Sequence, residues 1–238
     1  MNNQTQGKYQ QHKNEKLSDL KALNRKRLFR RLGVWSLGFL FLGGAGFGMT
    51  QLASLSKSEL LLASAISSTD QVKGNTQGTA ILVEYSDFQC PACGGYYPLI
   101  KKLVEEFDGQ VKFIYRHFPL PQHQQAKLAA YAAEAAGKQG KFWEMHDLIF
   151  DGQEDWAGNR GAQEILNKYA ESLGLDMGKF NQDSSSDEVK EKVNSDYRSG
   201  LNSGVNSTPT FFLNGKQLQN PRSYEEFQKV ILNAISNS

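Results

Sequence analysis

The sequence predicts an α/β fold with an inserted α-helical domain, preceded by one transmembrane helix. Three patterns predict it. Short, partly β-branched apolar runs recur on either side of a long stretch of helical periodicity. That stretch, about residues 122–201, carries few strand signals. Residues 32–55 contain no charged side chain.

The chain has 238 residues, with 27 Lys or Arg against 25 Asp or Glu. It is long enough to bury a core without disulfide staples. The charge is unevenly placed: residues 1–31 carry nine Lys or Arg against Glu15 and Asp19, and read as a basic, disordered cytoplasmic tail. No nucleic-acid partner is expected, because neither aromatic interleaving nor a binding motif accompanies that charge. Residues 32–55 are long enough to span a membrane as a helix. Arg25, Lys26, Arg27, Arg30 and Arg31 lie on one side, while the other side reaches its first charges at Lys57 and Glu59. The positive-inside rule then leaves the N-terminus in the cytoplasm and turns the rest of a single-pass cell-membrane protein outward. The rival is a signal peptide cleaved near Ala63-Ser64-Ala65, which would release a secreted or periplasmic protein. The long basic region and long apolar stretch favour the anchor. Residues 56–78 read as a spacer, in which 58–67 could make a short helix.

The domain from residue 79 to 238 then unfolds in order. Residues 80–85 form a short buried strand. Leu99, Leu103 and Phe107 recur at spacings of four, predicting an amphipathic helix over 96–107 that Asp108-Gly109 stops. Residues 111–115 make a second strand, broken by Pro119 and Pro121. Helices follow over 122–138, 142–150, 161–173 and about 186–201, the first rich in alanine for close packing. Trp143 and Trp156 read as core or lid residues. Strand signals return at Pro209-Thr210-Phe211-Phe212-Leu213 and at Lys216-Gln217-Leu218, with Asn214-Gly215 between them as a hairpin turn. Ser223 caps a last helix, with Glu226 completing a capping box.

The chemistry centres on Cys90-Pro91-Ala92-Cys93, which holds the two cysteines of the chain at a strand-to-helix junction. A thiol at a helix N-terminus meets unpaired N–H groups and the positive end of the helix dipole, which favour its thiolate. Cys90 is the predicted attacking sulfur, and Cys93, one turn on, the resolving thiol. A structural bridge this short would stabilise little. A metal site would have to recruit His117, His123 or His146, since no second cysteine pair exists. Redox chemistry is the favoured reading.

Four segments occur in a telling order: Phe88-Gln89-Cys90-Pro91-Ala92-Cys93, Tyr115-Arg116-His117-Phe118-Pro119-Leu120, Gly140-Lys141-Phe142-Trp143-Glu144-Met145-His146 and Ser207-Thr208-Pro209-Thr210-Phe211. Together they resemble the DsbA family of thiol-disulfide oxidoreductases, a thioredoxin-like fold with a helical insertion, over about residues 79–236. The resemblance implies a cis-proline at Pro209 lying against the disulfide, with the Thr208 backbone pairing to an extended substrate. It also implies that Glu84 is a buried acid able to exchange a proton with Cys93, although a structural Glu84 inside an apolar strand competes. Substrate contacts are expected from apolar surface near Phe88, Tyr96 and Tyr97. Ala92 stands where strongly oxidising members often carry histidine, so a moderately oxidising protein is expected.

The function implied is donation of the Cys90–Cys93 disulfide to reduced or misfolded exported proteins. A membrane quinone-linked partner of the DsbB or vitamin K epoxide reductase type would reoxidise the dithiol, and no soluble cofactor is expected. The alternatives are a reductase or isomerase running the same chemistry in reverse, a tethered peptide-binding holdase, and a metal carrier.

Overall fold

A computed structural model describes residues 61–237. The tail, the anchor at 32–55 and the first part of the spacer lie outside the described residues. Among the described residues, no helix is long and apolar enough to cross a membrane.

Five strands, β1 (Gln71–Gly74), β2 (Ala80–Ser86), β3 (Val111–His117), β4 (Thr210–Leu213) and β5 (Lys216–Gln217), form one sheet in the order β1-β3-β2-β4-β5. β2 and β3 run parallel and are joined by helix α1 (Pro91–Glu106), whereas the other neighbours pair antiparallel. Between β3 and β4 the insert supplies α2 (Ala126–Gly137), α3 (Phe142–Asp151), α4 (Gln153–Trp156), α5 (Ala162–Ser172), α6 (Met177–Ser185) and α7 (Asp187–Asn202). Helix α8 (Tyr224–Ser236) follows the hairpin, whose turn has positive φ at both Asn214 (47°) and Gly215 (83°). Asparagine and glycine tolerate that geometry, which matches the twist of the two strands.

β2 is flanked by strands on both sides, so its two faces both need cover. Alternation sends Ala80 and Leu82 into the main core with Ile100, Leu103 and Phe227, while Val83 and Tyr85 enter a second core with Ile114, Phe118 and Phe212. The same period of two places Glu84 and Ser86 in the row of Ala80 and Leu82. Two buried polar groups are thus carried under α1 by strand geometry alone.

Several boundaries differ from the sequence reading. Residues 71–74, assigned to the spacer, form the edge strand β1 against β3; their half-buried pattern lacks the alternation that marks a strand locally. The described part of 58–67 is not helical and instead straps the second core, with Leu62 and Ile66 packed on it. Leu62 N–H donates to Gly215 O at 2.8 Å. Arg116, 3% exposed, pairs with Asp70 at 2.8 Å and donates to the carbonyls of Ser64 and Ala65. Ala63-Ser64-Ala65 is therefore docked on the folded domain. Helices α4 and α6 were not read from the sequence; α4 has four residues, and α6 buries Phe180 and Asp183 alone, too little for an apolar stripe. Trp143 and Trp156 are packing residues, with indole N–H groups donating to Val72 O and Ile149 O. Ser223 caps α8, but Glu226 accepts from Arg222 N–H rather than from the cap residue.

Candidate active site

Cys90 is the N-cap of α1, in an extended conformation, with Pro91 following as the first helical residue. Proline suits that position because its missing N–H would have had no helical partner. Cys90 is 7% exposed and Cys93 fully buried, both as free thiols. Cys90 N–H donates to Asp87 O at 3.0 Å, closing a tight turn off β2. The Thr208–Pro209 bond is cis. Cys90 Sγ lies 3.5 Å from the Thr208 carbonyl oxygen, so residues 118 apart in sequence meet at the nucleophile.

The two thiols are strongly differentiated. Cys90 is held down at about 5, first by the Cys93 thiol donating to it and further by the N–H groups of Cys93 and Ala92, against the opposing effect of burial. Cys93 is pushed well up, first by burial, then by its hydrogen bond to Cys90 and by the nearby charge of Glu84. Glu84, 4% exposed, is raised to about 7, chiefly by burial, with the Cys90 charge adding to it. The register places Glu84 opposite Tyr115 on one side and Phe211 on the other. The hydroxyls of Ser86 and Tyr115 are buried there without a well-formed hydrogen bond.

The loop before the cysteines is held by side chains that sequence reasoning did not single out. The Asp87 carboxylate accepts from Gln89 N–H (2.7 Å) and Leu120 N–H (2.8 Å), and lies 2.7 Å from His123 Nδ1. Asp87 N–H in turn points at Cys93 Sγ at 3.5 Å. Gln89 and Gln125 exchange two hydrogen bonds, and Gln153 reaches the loop from the insert. The signal that was available was Asp87 itself, an acid ending an apolar strand three residues before a cysteine.

The expected aromatic surface is not there. Phe88 is 1% exposed, its ring stacked on Tyr115 at 5.2 Å and tilted on Phe150 at 4.9 Å. Tyr97 is buried and stacked on Phe150. Tyr96 is half-buried, packed on Phe211 and Phe227, with its hydroxyl donating to Pro221 O. The apolar surface open beside the cis-proline is instead a groove lined by Leu120, Pro121, Tyr197, Leu201, Val205 and Thr208.

Nor do the histidines complete a site with the cysteines. His123 pairs with Asp87. His146 is buried among aromatic rings with Asp147 on its Nδ1. His117 joins Glu134 and Asp196 in the one group with metal-ligand spacing among the described residues. There the Lys192 ammonium, 2.6 Å from Asp196 and 3.9 Å from Glu134, already supplies the positive charge.

The sequence model of the family described as thioredoxin matches residues 67–233. The chain belongs to the thioredoxin family. Within it, the fold is that of the DsbA-like members. α-DsbA1 of Wolbachia pipientis superimposes with a TM-score of 0.64 at 20% identity, over 72% of this chain and 94% of that one. BdbD of Bacillus subtilis gives 0.61 at 24%, over 70% and 93%. A thioredoxin-like oxidoreductase from Silicibacter pomeroyi gives 0.61 at 25%, over 72% and 95%. Curated relatives include Na(+)/H(+) antiporter NhaA 3 of Salinispora tropica, 36% identical over 71% of this chain but 25% of the relative. Another is Na(+)/H(+) antiporter NhaA of Herminiimonas arsenicoxydans, 37% identical over 63% and 23%. The chain thus spans about a quarter of the length of the antiporters it matches. It is a thioredoxin-family chain with a paired-thiol helix cap on a DsbA-like fold.

Proposed function

We propose that this protein is a membrane-tethered, outward-facing oxidant that donates its Cys90–Cys93 disulfide to reduced exported proteins. The observation that carries this reading is the opposition between the two thiols, Cys90 held at about 5 and Cys93 pushed well up. A substrate thiolate attacks Cys90 Sγ, the Cys90–Cys93 bond breaks, and Cys93 leaves as the resolving sulfur. A second substrate thiolate then attacks the substrate sulfur of the mixed disulfide. The substrate leaves oxidised, and two electrons stay on the dithiol. A stabilised Cys90 thiolate favours the reduced protein at the end of that cycle, which is what makes a disulfide oxidising. Glu84 would give a proton to Cys93 as it leaves, a role supported by its raised pKa and its electrostatic effect on Cys93.

The substrate is expected to pair with the Thr208 backbone, beside Pro209, and to lay apolar side chains into the groove at Leu120, Tyr197 and Leu201. Residues 32–55 would tether the domain. The contacts made by Ala63-Ser64-Ala65 support retention of that segment, and the homologous stretch inside proteins named as Na(+)/H(+) antiporters supports work beside a membrane. A quinone-linked membrane protein of the DsbB or vitamin K epoxide reductase type would take up the electrons.

The test is a Cys93→Ala variant expressed in cells. Mixed disulfides between Cys90 and exported proteins should accumulate in the membrane fraction. Their absence, with Cys90 still open to alkylation, would remove this function. A reduction potential near about −270 mV would instead assign the protein to reduction, and one well above about −200 mV to oxidation.

A further inference from the structure

Of the insert side chains that meet the dithiol loop, Gln153 is the one whose amide reaches its backbone carbonyls. Gln153, half-buried at the start of α4, directs its amide nitrogen at two carbonyls of that loop, 2.6 Å from Phe88 O and 3.0 Å from Cys90 O. Cys90 O also accepts Gly94 N–H at 3.1 Å, the first helical bond of α1. The amide lies against the backbone of Gly94, where a Cβ would fall 2.5 Å from Gln153 Oε1 and 3.1 Å from its Cδ. At the next position, Gly95, a Cβ would meet nothing within 4 Å. Of the two glycines after Cys93, then, only the first makes room for the insert.

We propose that Gln153 is a positioning residue for dithiol exchange: its amide clamps the carbonyls on either side of Gln89, and Gly94 is what admits that amide. The proposal rests on the oxidoreductase reading of the site. Its physical content is electrostatic and conformational together. Each N–H aimed at a carbonyl offsets the negative end of a dipole on the loop that bears the attacking sulfur, which favours the thiolate. The same two bonds fix the extended backbone of Cys90, and with it the direction in which Sγ meets Thr208. Gln153 makes no contact with a reacting atom. It acts through the backbone of residues 88–90, and it ties the redox poise of the pair to the seating of the insert.

The experiment uses the full chain in mild detergent. Gln153→Met keeps the length and packing of the side chain without the donors. Gly94→Ala keeps Gln153 but displaces its amide, and Gly95→Ala is the control. Thiolate absorbance against pH and equilibrium with glutathione are read for each, with circular dichroism to establish folding. Gln153→Met should raise the Cys90 pKa and reduce the oxidising equilibrium constant by about three- to tenfold, tenfold being about 30 mV for this two-electron couple. Gly94→Ala should move both in the same direction, and the double variant no further than either single one. Gly95→Ala should stay within about twofold of the parent. Parent-like values for Gln153→Met, or additive shifts in the double variant, would overturn the clamp while leaving the oxidoreductase reading intact. Failure of the parent chain to exchange with glutathione would overturn both.

Discussion

Glu84 offers a quantitative handle on the buried half of the site. Its carboxyl titrates near 4.5 in an unfolded chain and near 7 in the fold, raised chiefly by burial. Between those values the folded protein keeps a proton that the unfolded chain has released. The unfolded state therefore binds fewer protons, and stability falls as pH rises through that window. Below about 4.5 the penalty is absent; above about 7 it is complete. At about 1.4 kcal/mol per tenfold, the interval between 4.5 and about 7 corresponds to about 3 kcal/mol. Glutamine has nearly the same shape and does not titrate. Glu84→Gln should therefore match the parent at pH 4 and exceed it by about 2–3 kcal/mol at pH 8. Urea unfolding of the reduced proteins at pH 4, 6 and 8 measures this. Comparing parent and variant at each pH cancels most of the titration of the thiols themselves. A gain at pH 8 no larger than that at pH 4 would show that Glu84 is not ionised at a cost in the fold, and its role as a proton donor to Cys93 would go with it.

Other outcomes follow from neighbouring features. Alkylation of Cys90 by iodoacetamide should hold nearly constant from pH 8 to pH 6 and fall to half near pH 5, following a thiol lowered from 9.0 to about 5; a midpoint near 9 would remove the asymmetry of the pair. Gly200→Ala should destabilise by about 1–3 kcal/mol in urea despite the better helix propensity of alanine, because its Cβ would fall 2.6 Å from the Phe118 ring and 3.0 Å from that of Tyr85. Arg116→Met should cost about 3–5 kcal/mol by leaving Asp70 buried and unpaired, and adding Asp70→Leu should recover much of it; an additive double variant would show that the pair does not act as a unit.

The strand, the paired-cysteine helix, the second strand, the Asn-Gly hairpin and the capped last helix were legible because each is written in local chemistry. Periodicity, proline and glycine act over a few residues and need no partner to be recognised. Glu84 was singled out by the family resemblance, while its place in an apolar run read equally as structural; the fold buries it. Phe88 was misjudged because an aromatic beside a reactive cysteine reads as exposed, whereas its exposure is decided by Tyr115 and Phe150 arriving from elsewhere. β1 was missed because an edge strand of four residues has no signature until β3 lies beside it.

Residue order alone therefore singled out the two thiols and the strand-to-helix junction that holds them. A helix dipole and two sulfurs one turn apart are consequences of adjacency. Folding decided how that chemistry is tuned. The thiol pKa values, the meeting of Cys90 with Thr208, the buried pairing of Arg116 with Asp70 and the reach of Gln153 across to Gly94 each depend on desolvation or on contacts between distant residues. Such energies come into existence only when the chain has closed around them.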